Sequence, residues 1–585
     1  MPETYDVLVA GSGASGMAAA VTAALHGLSV LLVEKDPLFG GTTAWSGGWL
    51  WIPRNPLAVR AGIVEDVSEP RRYLQHELGR GFDAAKVDAF LEAGPRMVAF
   101  FEARTAVRFI PGNAMPDFHG RTPGAGTGGR SVCGAPYDGR ALGPLRDRLR
   151  PPLAETTVGG MAIASGQDLK HFLNAFRAPG SAWHVAKRFA RHGRDLATHG
   201  RSQQLVNGNA LAARLLRSAA DAGVVLREGT AVVRLVREGD AVRGAVLRTP
   251  QGECAVAVRR GVVLACGGFP HDPSRQQAMF AHAPTGREHH SAAPPTNTGD
   301  GLRLGESAGG RVADDFPDPA AWAPVSRVPR RDGGITNFPH LIERAKPGLI
   351  AVRRDGRRFV NEAGSYHDLM RCLFAATAPG EEVACWLVCD RAFQRRYGLG
   401  AAKPFPFPLG PHLRSGYLRR GHTIEALAVE CGIDPGALAE TVERFNRHAR
   451  EGRDPEFDRG GTPYERIQGE PDRKPNPCVA PIECGPFYAV KVVPGSLGTF
   501  AGLRTDERAR VLDGAGGPIP GLYAVGSDMA SVMAGHYPAG GINLGPGMTF
   551  GFIAGLDLAG VAGPAPQDAA QPGAAPRKEE PHAAL

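Results

Sequence analysis

The amino-terminal stretch YDVLVAGSGASGMAAAVTAALHGLSVLLVEKD contains an apolar strand, a glycine-rich turn, an alanine-rich helix and a second strand. Gly11, Gly13 and Gly16 follow the first strand in the order GxGxxG, and Glu34 ends the second. This is the dinucleotide-binding fingerprint: the glycines let a pyrophosphate approach the helix N-terminus, and the carboxylate accepts the ribose hydroxyls. We therefore predict an α/β fold with a Rossmann-type domain, in which Ser15 and Lys35 also contact the dinucleotide.

A second glycine-rich stretch, FGGTTAWSGGWLWIP, runs from Phe39 to Pro53. Small residues allow backbone to lie along an extended ligand, as the ribityl chain and ring of FAD require. Enzymes that bind only NAD usually continue directly into another βα unit. The stretch therefore favours FAD, with these candidate contacts: Gly41, Thr42, Thr43, Ser46, Gly47 and Gly48.

Composition narrows the function classes. A chain of 585 residues is longer than one average domain. The net charge of +8 comes from scattered arginines in short clusters, so nucleic acid is not an expected partner.

We find no run of 18 apolar residues and no basic region before the first strand, so we expect a cytoplasmic protein without a transmembrane segment. The nine cysteines form no CxxC pair, which indicates free thiols and no metal site.

The stretch HYPAGGINLGPGMTFG, residues 536 to 551, predicts a pair of hydrogen-bond donors beside a helix N-terminus. The Tyr537 hydroxyl and the Gly541 N–H can converge on one oxygen, because a glycine backbone allows close approach of a ligand. The helix after Pro546 would offer free N–H groups to an electron-rich ring, with Asn543 and Leu544 next to it. The alternative is a glycine-rich loop that caps an ordinary helix.

The glycines from Gly11 to Gly16, Glu34 and the GGTTAWSGG run resemble the flavoprotein superfamily of fumarate reductases, succinate dehydrogenase flavoprotein subunits and 3-ketosteroid dehydrogenases. Covalently flavinylated members carry a histidine where this chain has Thr42 or Thr43, so the resemblance implies non-covalent FAD. It also implies further FAD contacts at Val232, Gly267, Gly268, Asp300, Gly526 and Asp528.

The YPxGG form at Tyr537 is similar to 3-ketosteroid Δ1-dehydrogenases and related cyclic-ketone desaturases. Fumarate reductases carry an arginine where this chain has Asn543, so a dicarboxylate reductase is disfavoured. The resemblance implies that Tyr537 and Gly541 bind a ketone oxygen and that Tyr366 abstracts the α proton. The substrate would be a small hydrophobic ketone, and an external acceptor such as a quinone would reoxidise the flavin.

This chain departs from the ketosteroid dehydrogenase pattern at Phe118, where those enzymes bring a tyrosine into the substrate cavity. Three explanations stay open: the auxiliary phenol is missing, Tyr137 or His119 replaces it, or the substrate is not a steroid. The alternative functions are a flavin ene-reductase working on an activated C=C bond, a desaturase of non-steroid cyclic ketones, and a flavoprotein that only transfers electrons.

The same resemblance implies the domain organisation. Residues 1–279 and 461–562 would form the FAD-binding domain. Residues 280–460 would form an inserted α+β substrate-binding cap, and residues 563–585 a disordered tail.

Overall fold

A computed structural model describes residues 2–561. The predicted disordered tail, residues 563–585, lies outside the described residues. Within residues 2–561, none of the helices is both long and apolar enough to cross a membrane.

The strands are β1 (Glu3–Ala10), β2 (Val30–Val33), β3 (Trp49–Trp51), β4 (Phe109–Pro111), β5 (Ser131–Gly134), β6 (Tyr137–Asp138), β7 (Gln204–Leu205), β8 (Val225–Arg227), β9 (Ala231–Glu238), β10 (Ala241–Thr249), β11 (Gly252–Leu264), β12 (Ala320–Pro329), β13 (Ile335–Pro339), β14 (Leu349–Val352), β15 (Cys385–Cys389), β16 (Leu418–Gly421), β17 (Phe487–Thr499), β18 (Arg510–Leu512) and β19 (Pro518–Ala524).

The α-helices are α1 (Ala14–Leu25), α2 (Pro56–Arg60), α3 (Ser68–Leu78), α4 (Ala84–Arg104), α5 (Gln167–Leu173), α6 (Pro179–His199), α7 (Asn207–Asp221), α8 (Pro273–Met279), α9 (Asp300–Ser307), α10 (Tyr366–Ala376), α11 (Arg391–Tyr397), α12 (Gly410–Arg414), α13 (Ile424–Cys431), α14 (Pro435–Ala449), α15 (Pro463–Gln468) and α16 (Leu544–Leu558). Short 3₁₀ helices cover Gly41–Trp45, Gly79–Gly81, Gly139–Arg148, Ala154–Thr156, Glu343–Ala345 and Gly526–Asp528.

The larger sheet has eight strands and carries the amino-terminal fingerprint. Its path runs β18-β19-β11-β1-β2-β8, and β10 and β9 extend from β11. The central pairs β19–β11, β11–β1, β1–β2 and β2–β8 are parallel. The four residues of β2 are all buried, as expected for a strand covered on both faces. The predicted α/β fold of Rossmann type is confirmed.

Helix α1 leaves the carboxyl end of β1 and packs against α16 from the far end of the chain. Glycines allow this close approach, because a Cβ on Gly551 would lie 2.4 Å from Ser15 O and one on Gly555 would lie 2.6 Å from Thr22 Cβ. Helix α16 is the helix predicted after Pro546, and its packing brings its N-terminus to the glycine-rich turn of the fingerprint.

The second sheet has six strands in the order β13-β12-β17-β15-β14, with β16 pairing on β17. It is antiparallel throughout, and its two faces belong to two different hydrophobic cores. In β14, for example, Leu349 and Ala351 pack into one core while Ile350 and Val352 pack into the other. This alternation follows from the period of two along a strand.

Strand β17 lies in the range 461–562 but pairs within the second sheet. The segment GPFYAVKVVPG was expected to return the chain to the cofactor domain, yet Phe487–Thr499 pairs with β12, β15 and β16. An apolar strand pattern shows that a segment is buried but does not show which sheet it joins. The second sheet therefore extends beyond the range 280–460, and the proposed division into domains stays a prediction.

A buried charge network links the second sheet to the segment that precedes α10. Arg358 pairs with Glu362 at 2.7 Å and with Asp454 at 2.8 Å, and Arg459 also reaches Glu362 at 3.1 Å. All four side chains are almost fully buried. Because breaking a buried pair leaves an uncompensated charge, the network holds the residues just before Tyr366 in one position.

Candidate active site

A cavity of about 1120 Å³ runs from the glycine-rich turn after β1 to the second sheet. Every candidate catalytic residue lines it: Phe118, Tyr366, Tyr537 and Gly541. The cavity also brings together most of the predicted cofactor residues, namely Gly11, Gly13, Ser15, Glu34, Lys35, Gly41, Thr42, Thr43, Ser46, Gly47, Gly48, Val232, Gly267, Asp300, Gly526, Asn543 and Leu544. Residues distant in sequence thus meet in one place.

Three predicted cofactor residues, Gly16, Gly268 and Asp528, lie behind the cavity wall. A Cβ on Gly16 would lie 2.2 Å from Gly11 O, and one on Gly268 would lie 2.1 Å from Thr499 Oγ1. The Asp528 carboxylate accepts hydrogen bonds from the backbone N–H groups of Cys266 and Gly268. Burial raises the pKa of Asp528 to about 6, opposed by these two N–H donors. These residues shape the end of β11, which forms part of the wall.

The amino-terminal part of the cavity fits a dinucleotide. Gly13, the N-cap of α1, supplies no capping side chain, so the first turn keeps N–H groups for an anion. Added Cβ atoms on Gly13 or Gly41 would meet nothing nearer than 3.7 Å, so these glycines leave open space. The Glu34 carboxylate accepts from Ser12 Oγ at 2.6 Å, Ser12 N at 3.0 Å and Asp36 N at 3.0 Å, which leaves about one of its four lone pairs for a ribose hydroxyl.

The N-terminus of α16 lies beside the glycine-rich turn, because a Cβ on Gly547 would lie 2.4 Å from Ser15 Oγ. Asn543 is the N-cap residue of the helix, and it makes no side-chain capping bond. In the first turn, the Gly545 N–H donates to Gly541 O at 2.8 Å and Pro546 has no N–H, so the helix offers the Leu544 N–H and its dipole to an electron-rich ring system. Beside the open fingerprint turn, these groups fit a dinucleotide that carries such a ring, as FAD does.

Beyond the FAD-sized part, four aromatic side chains form a cluster on the cavity wall. The rings of Tyr366 and Tyr537 lie 5.0 Å apart, edge to face. Phe118 stacks on Tyr537 at 5.7 Å and contacts the edge of Tyr366 at 5.5 Å. Tyr464 packs on Phe118 at 4.3 Å. All four are almost fully buried, so the cluster keeps bulk water away from the two central hydroxyls.

Both residues of the donor pair predicted from HYPAGGINLGPG, Tyr537 and Gly541, line the cavity. Gly541 has φ +103°, and an added Cβ would lie 2.6 Å from Trp51 N, so only glycine fits there. Its carbonyl accepts from Trp51 N at 3.1 Å, whereas its own N–H has no partner within residues 2–561. Burial raises the pKa of Tyr537, which keeps its hydroxyl protonated as a donor. Asn543 Nδ2 lies 3.5 Å from that hydroxyl.

Tyr366 is the first residue of α10, directly after the N-cap residue Ser365, whose hydroxyl accepts from His367 N at 3.2 Å. Burial raises the pKa of Tyr366 strongly, and the Arg344 guanidinium, 5.9 Å from the ring centroid, opposes this shift. Arg344 is itself buried and donates to four backbone carbonyls, among them Glu362 O and Gly364 O. A buried cation and a helix N-terminus both favour a negative charge on the phenol.

Sequence reasoning did not find Arg344 or Tyr464. Tyr464 belongs to α15, in a short GTPYERI stretch without any recognisable motif. Burial raises the pKa of Tyr464 to about 12, and Arg344 opposes the shift. Tyr464 is therefore a further phenol on the cavity wall beside Phe118.

Neither proposed replacement for the missing phenol reaches the cavity. Tyr137 lies half-buried under the Arg214 guanidinium, 4.7 Å from it. His119 instead bridges two carboxylates: its Nδ1 lies 2.5 Å from Glu77 and its Nε2 lies 2.7 Å from Asp368. His119 thereby ties the segment that carries Phe118 to α3 and to the first turn of α10.

This bridge predicts a pH-dependent stability. Burial lowers the pKa of His119, but the hydrogen bonds to Asp368 and Glu77 outweigh it and raise the pKa to about 10. The contribution of the charged His119 bridge to the free energy of unfolding is complete below the ordinary histidine pKa near 6.5, and it is lost as the pH rises through about 10. The variant His119→Gln should lose roughly 2–3 kcal/mol of stability at pH 6, after allowance for partial exposure.

Denaturant unfolding at several pH values tests this prediction. The difference between wild type and His119→Gln should shrink between pH 8 and pH 10.5. The control variant His76→Gln changes an exposed histidine of α3, the helix that carries Glu77, and it should leave stability unchanged. A difference between wild type and His119→Gln that stays constant across this range would contradict the charged bridge.

Comparison with known proteins agrees with this geometry. The family described as FAD binding domain matches residues 6–544. The chain is 41% identical over 560 residues to a 4-oxocyclohex-2-ene-1-carboxylate 5-dehydrogenase of Sinomonas cyclohexanicum, covering 95% of this chain and 94% of the relative. It is 37% identical over 577 residues to a 3-oxosteroid 1-dehydrogenase of Mycolicibacterium smegmatis, and the match covers 96% of this chain and 98% of that relative.

A solved structure shows the same fold. It is the 3-ketosteroid delta1-dehydrogenase from Sterolibacterium denitrificans in complex with 1,4-androstadiene-3,17-dione, with a TM-score of 0.88, 36% identity, and coverage of 95% of this chain and 100% of that chain. The chain belongs to the FAD-binding flavoprotein family that includes the 3-oxosteroid 1-dehydrogenases. It is an FAD-dependent oxidoreductase, as the sequence predicted.

Proposed function

We propose that this family member introduces a double bond α,β to the ketone of a hydrophobic cyclic substrate, most simply a 3-ketosteroid. The observation that carries the proposal is the meeting of two phenols and a free backbone N–H on one buried wall. The Tyr366 and Tyr537 rings lie 5.0 Å apart, and Gly541 lines the same wall. A ketone clamp beside a proton acceptor is the arrangement that this reaction requires.

The clamp acts on the carbonyl oxygen of the substrate. Removing a proton from the α carbon leaves negative charge on that oxygen as an enolate. The Tyr537 hydroxyl and the Gly541 N–H would both donate to it, and donors aimed at the developing charge stabilise the transition state more than the ground state. Each such donor is worth about 3–4 kcal/mol in the barrier.

Tyr366 would take the α proton on its phenolic oxygen. The Arg344 charge and the N-terminus of α10 favour the phenolate that this role needs. Phe118 and Tyr464 exclude water around the two oxygens, which strengthens these interactions. Bound FAD supplies the acceptor for the hydride that leaves the β carbon. We further infer that an external acceptor, a quinone or a similar compound, receives the electrons afterwards.

A second candidate function is the desaturation of a single-ring cyclic ketone. Two observations favour it: the 41% identical relative is named for a 4-oxocyclohexene carboxylate, and this chain has Phe118 in place of a tyrosine. The same three groups, Tyr366, Tyr537 and Gly541, would perform the same steps on the smaller ring.

Anaerobic mixing of the holoenzyme with androst-4-ene-3,17-dione and, separately, with a simple cyclohexenone tests both functions. Loss of the oxidised flavin absorption with the steroid supports the steroid reaction, and loss only with the small ring supports the second candidate. If neither ketone bleaches the flavin, both proposals fail. Oxidation of the reduced enzyme by enones would then favour an ene-reductase.

A further inference from the structure

The cavity is lined by five basic side chains, and one of them differs from the rest. Four have a carboxylate partner, in the pairs Lys35–Asp300, Arg150–Asp36, Lys170–Asp472 and Arg396–Glu470. Within residues 2–561, no carboxylate oxygen lies within 4.0 Å of the Lys346 ammonium. Lys346 therefore brings an uncompensated positive charge to the cavity wall.

The Lys346 ammonium is held in place by two backbone carbonyls. Its Nζ donates to Gln468 O and Gly469 O, both at 2.7 Å, at the C-terminal end of α15. An ammonium has three donors, so one is left over. Burial lowers the pKa of Lys346 to about 8, and Cys478 and the Glu343 carboxylate oppose this shift only in part. A bound anion beside the Lys346 ammonium would offset the free-energy cost of burying its charge.

Lys346 lies at the substrate end of the cavity and away from the fingerprint. Tyr464 precedes Gln468 by one turn of α15. Tyr464 packs on Phe118, which stacks on Tyr537. One helical turn and two ring contacts thus connect the carbonyls that hold Lys346 to the ketone clamp. The wall between them is mostly apolar, with Pro339, Leu341, Ile342 and Ile467.

We propose that Lys346 binds a carboxylate at the end of the substrate remote from the ketone, so that the substrate class is cyclic keto acids. The apolar wall takes the ring system, the donor pair Tyr537 and Gly541 takes the ketone, and Lys346 takes the acid. This inference rests on the proposed function and deepens it.

Acid and ester pairs separate this inference from the proposed function. The probes are 3-oxochol-4-en-24-oic acid with its methyl ester, and 4-oxocyclohex-2-ene-1-carboxylate with its methyl ester. For the holoenzyme, kcat/KM should favour one of the acids over its ester by about 10- to 100-fold, the value of a charge-assisted hydrogen bond. The two acids differ in the separation between their carboxylate and their ketone. The acid that is preferred over its ester therefore indicates the distance between Lys346 and the ketone clamp.

Two lysine variants make the test specific. Lys346→Met should abolish the preference for the acid while leaving ester turnover unchanged, and Lys346→Arg should retain part of it. Lys403→Met is the matched control. Like Lys346, Lys403 is half-buried, partial burial lowers its pKa to about 8, and it donates to a backbone carbonyl, Glu155 O, but it does not line the cavity.

The outcomes are distinct. Equal turnover of acid and ester by the wild type overturns the Lys346 site and leaves the proposed desaturation intact. Equal losses for acid and ester in Lys346→Met, or the same pattern in Lys403→Met, would assign Lys346 a structural role only. If no acid or ester bleaches the flavin, the proposed function fails and the keto acid class fails with it.

Discussion

Replacing Tyr537 with phenylalanine should reduce turnover of the ketone substrate by about 100- to 1,000-fold while FAD stays bound. The hydroxyl is one of two donors to the developing enolate, and loss of one such donor costs about 2.7–4 kcal/mol. The ring itself should stay in position, because it packs against Phe118, Tyr366 and Phe500. The remaining donor, the Gly541 N–H, accounts for the residual activity.

Stopped-flow measurement of flavin reduction gives the rate in Tyr537→Phe, and the flavin spectrum reports cofactor content. Tyr137→Phe is the matched control, since it removes a phenolic oxygen outside the cavity. An unchanged reduction rate in Tyr537→Phe would show that the enolate is stabilised elsewhere. A rate lost together with FAD would show that the ring, and not the hydroxyl, supports the site.

Replacing Tyr366 with phenylalanine should have an effect at least as large, about 100- to 10,000-fold on flavin reduction, because the general base is removed. Ketone binding should persist, since Tyr537 and Gly541 are unchanged. Burial raises the pKa of Tyr366, and the base must be deprotonated, so the wild-type rate should still rise with pH above 8. This rise should be absent in Tyr366→Phe.

Exchange of the α hydrogen in deuterated water separates the roles of the two tyrosines. The wild type should incorporate deuterium at the α position of a bound ketone, and Tyr366→Phe should not. Exchange that persists at the wild-type rate in Tyr366→Phe would assign the base to another group, and Tyr464, the phenol that packs on Phe118, is the next candidate. Tyr137→Phe again serves as the control for loss of a phenol.

The FAD site could be predicted from local sequence because its chemistry is local. A tight turn, a helix N-terminus and an acid after the next strand all belong to one short βαβ unit, so the spacing of Gly11, Gly13 and Glu34 is enough. The helix after Pro546 was predicted for the same reason. The pairing of strand β17 in the second sheet could not be predicted, because strand pairing depends on distant partners that an apolar pattern does not name.

The replacement of the missing phenol shows where local reasoning ends. His119 and Tyr137 were candidates because they are near Phe118 in sequence, yet His119 bridges Glu77 and Asp368. Tyr464, which contacts Phe118 in addition to the two predicted tyrosines, comes from α15, far along the chain. Arg344 beside Tyr366 and the unpaired charge of Lys346 were likewise invisible, since neither belongs to a motif.

The chain's own residues were thus enough to determine the cofactor class and to predict Tyr537 and Gly541 as a donor pair and Tyr366 as the base. Each depends on residue types at short spacings or on a resemblance carried by short motifs. Folding decided which charges are compensated and which aromatic rings meet, as at Lys346 and Tyr464. Burial and charge pairing are set by contacts between segments hundreds of residues apart, and those contacts exist only once the two sheets have packed together.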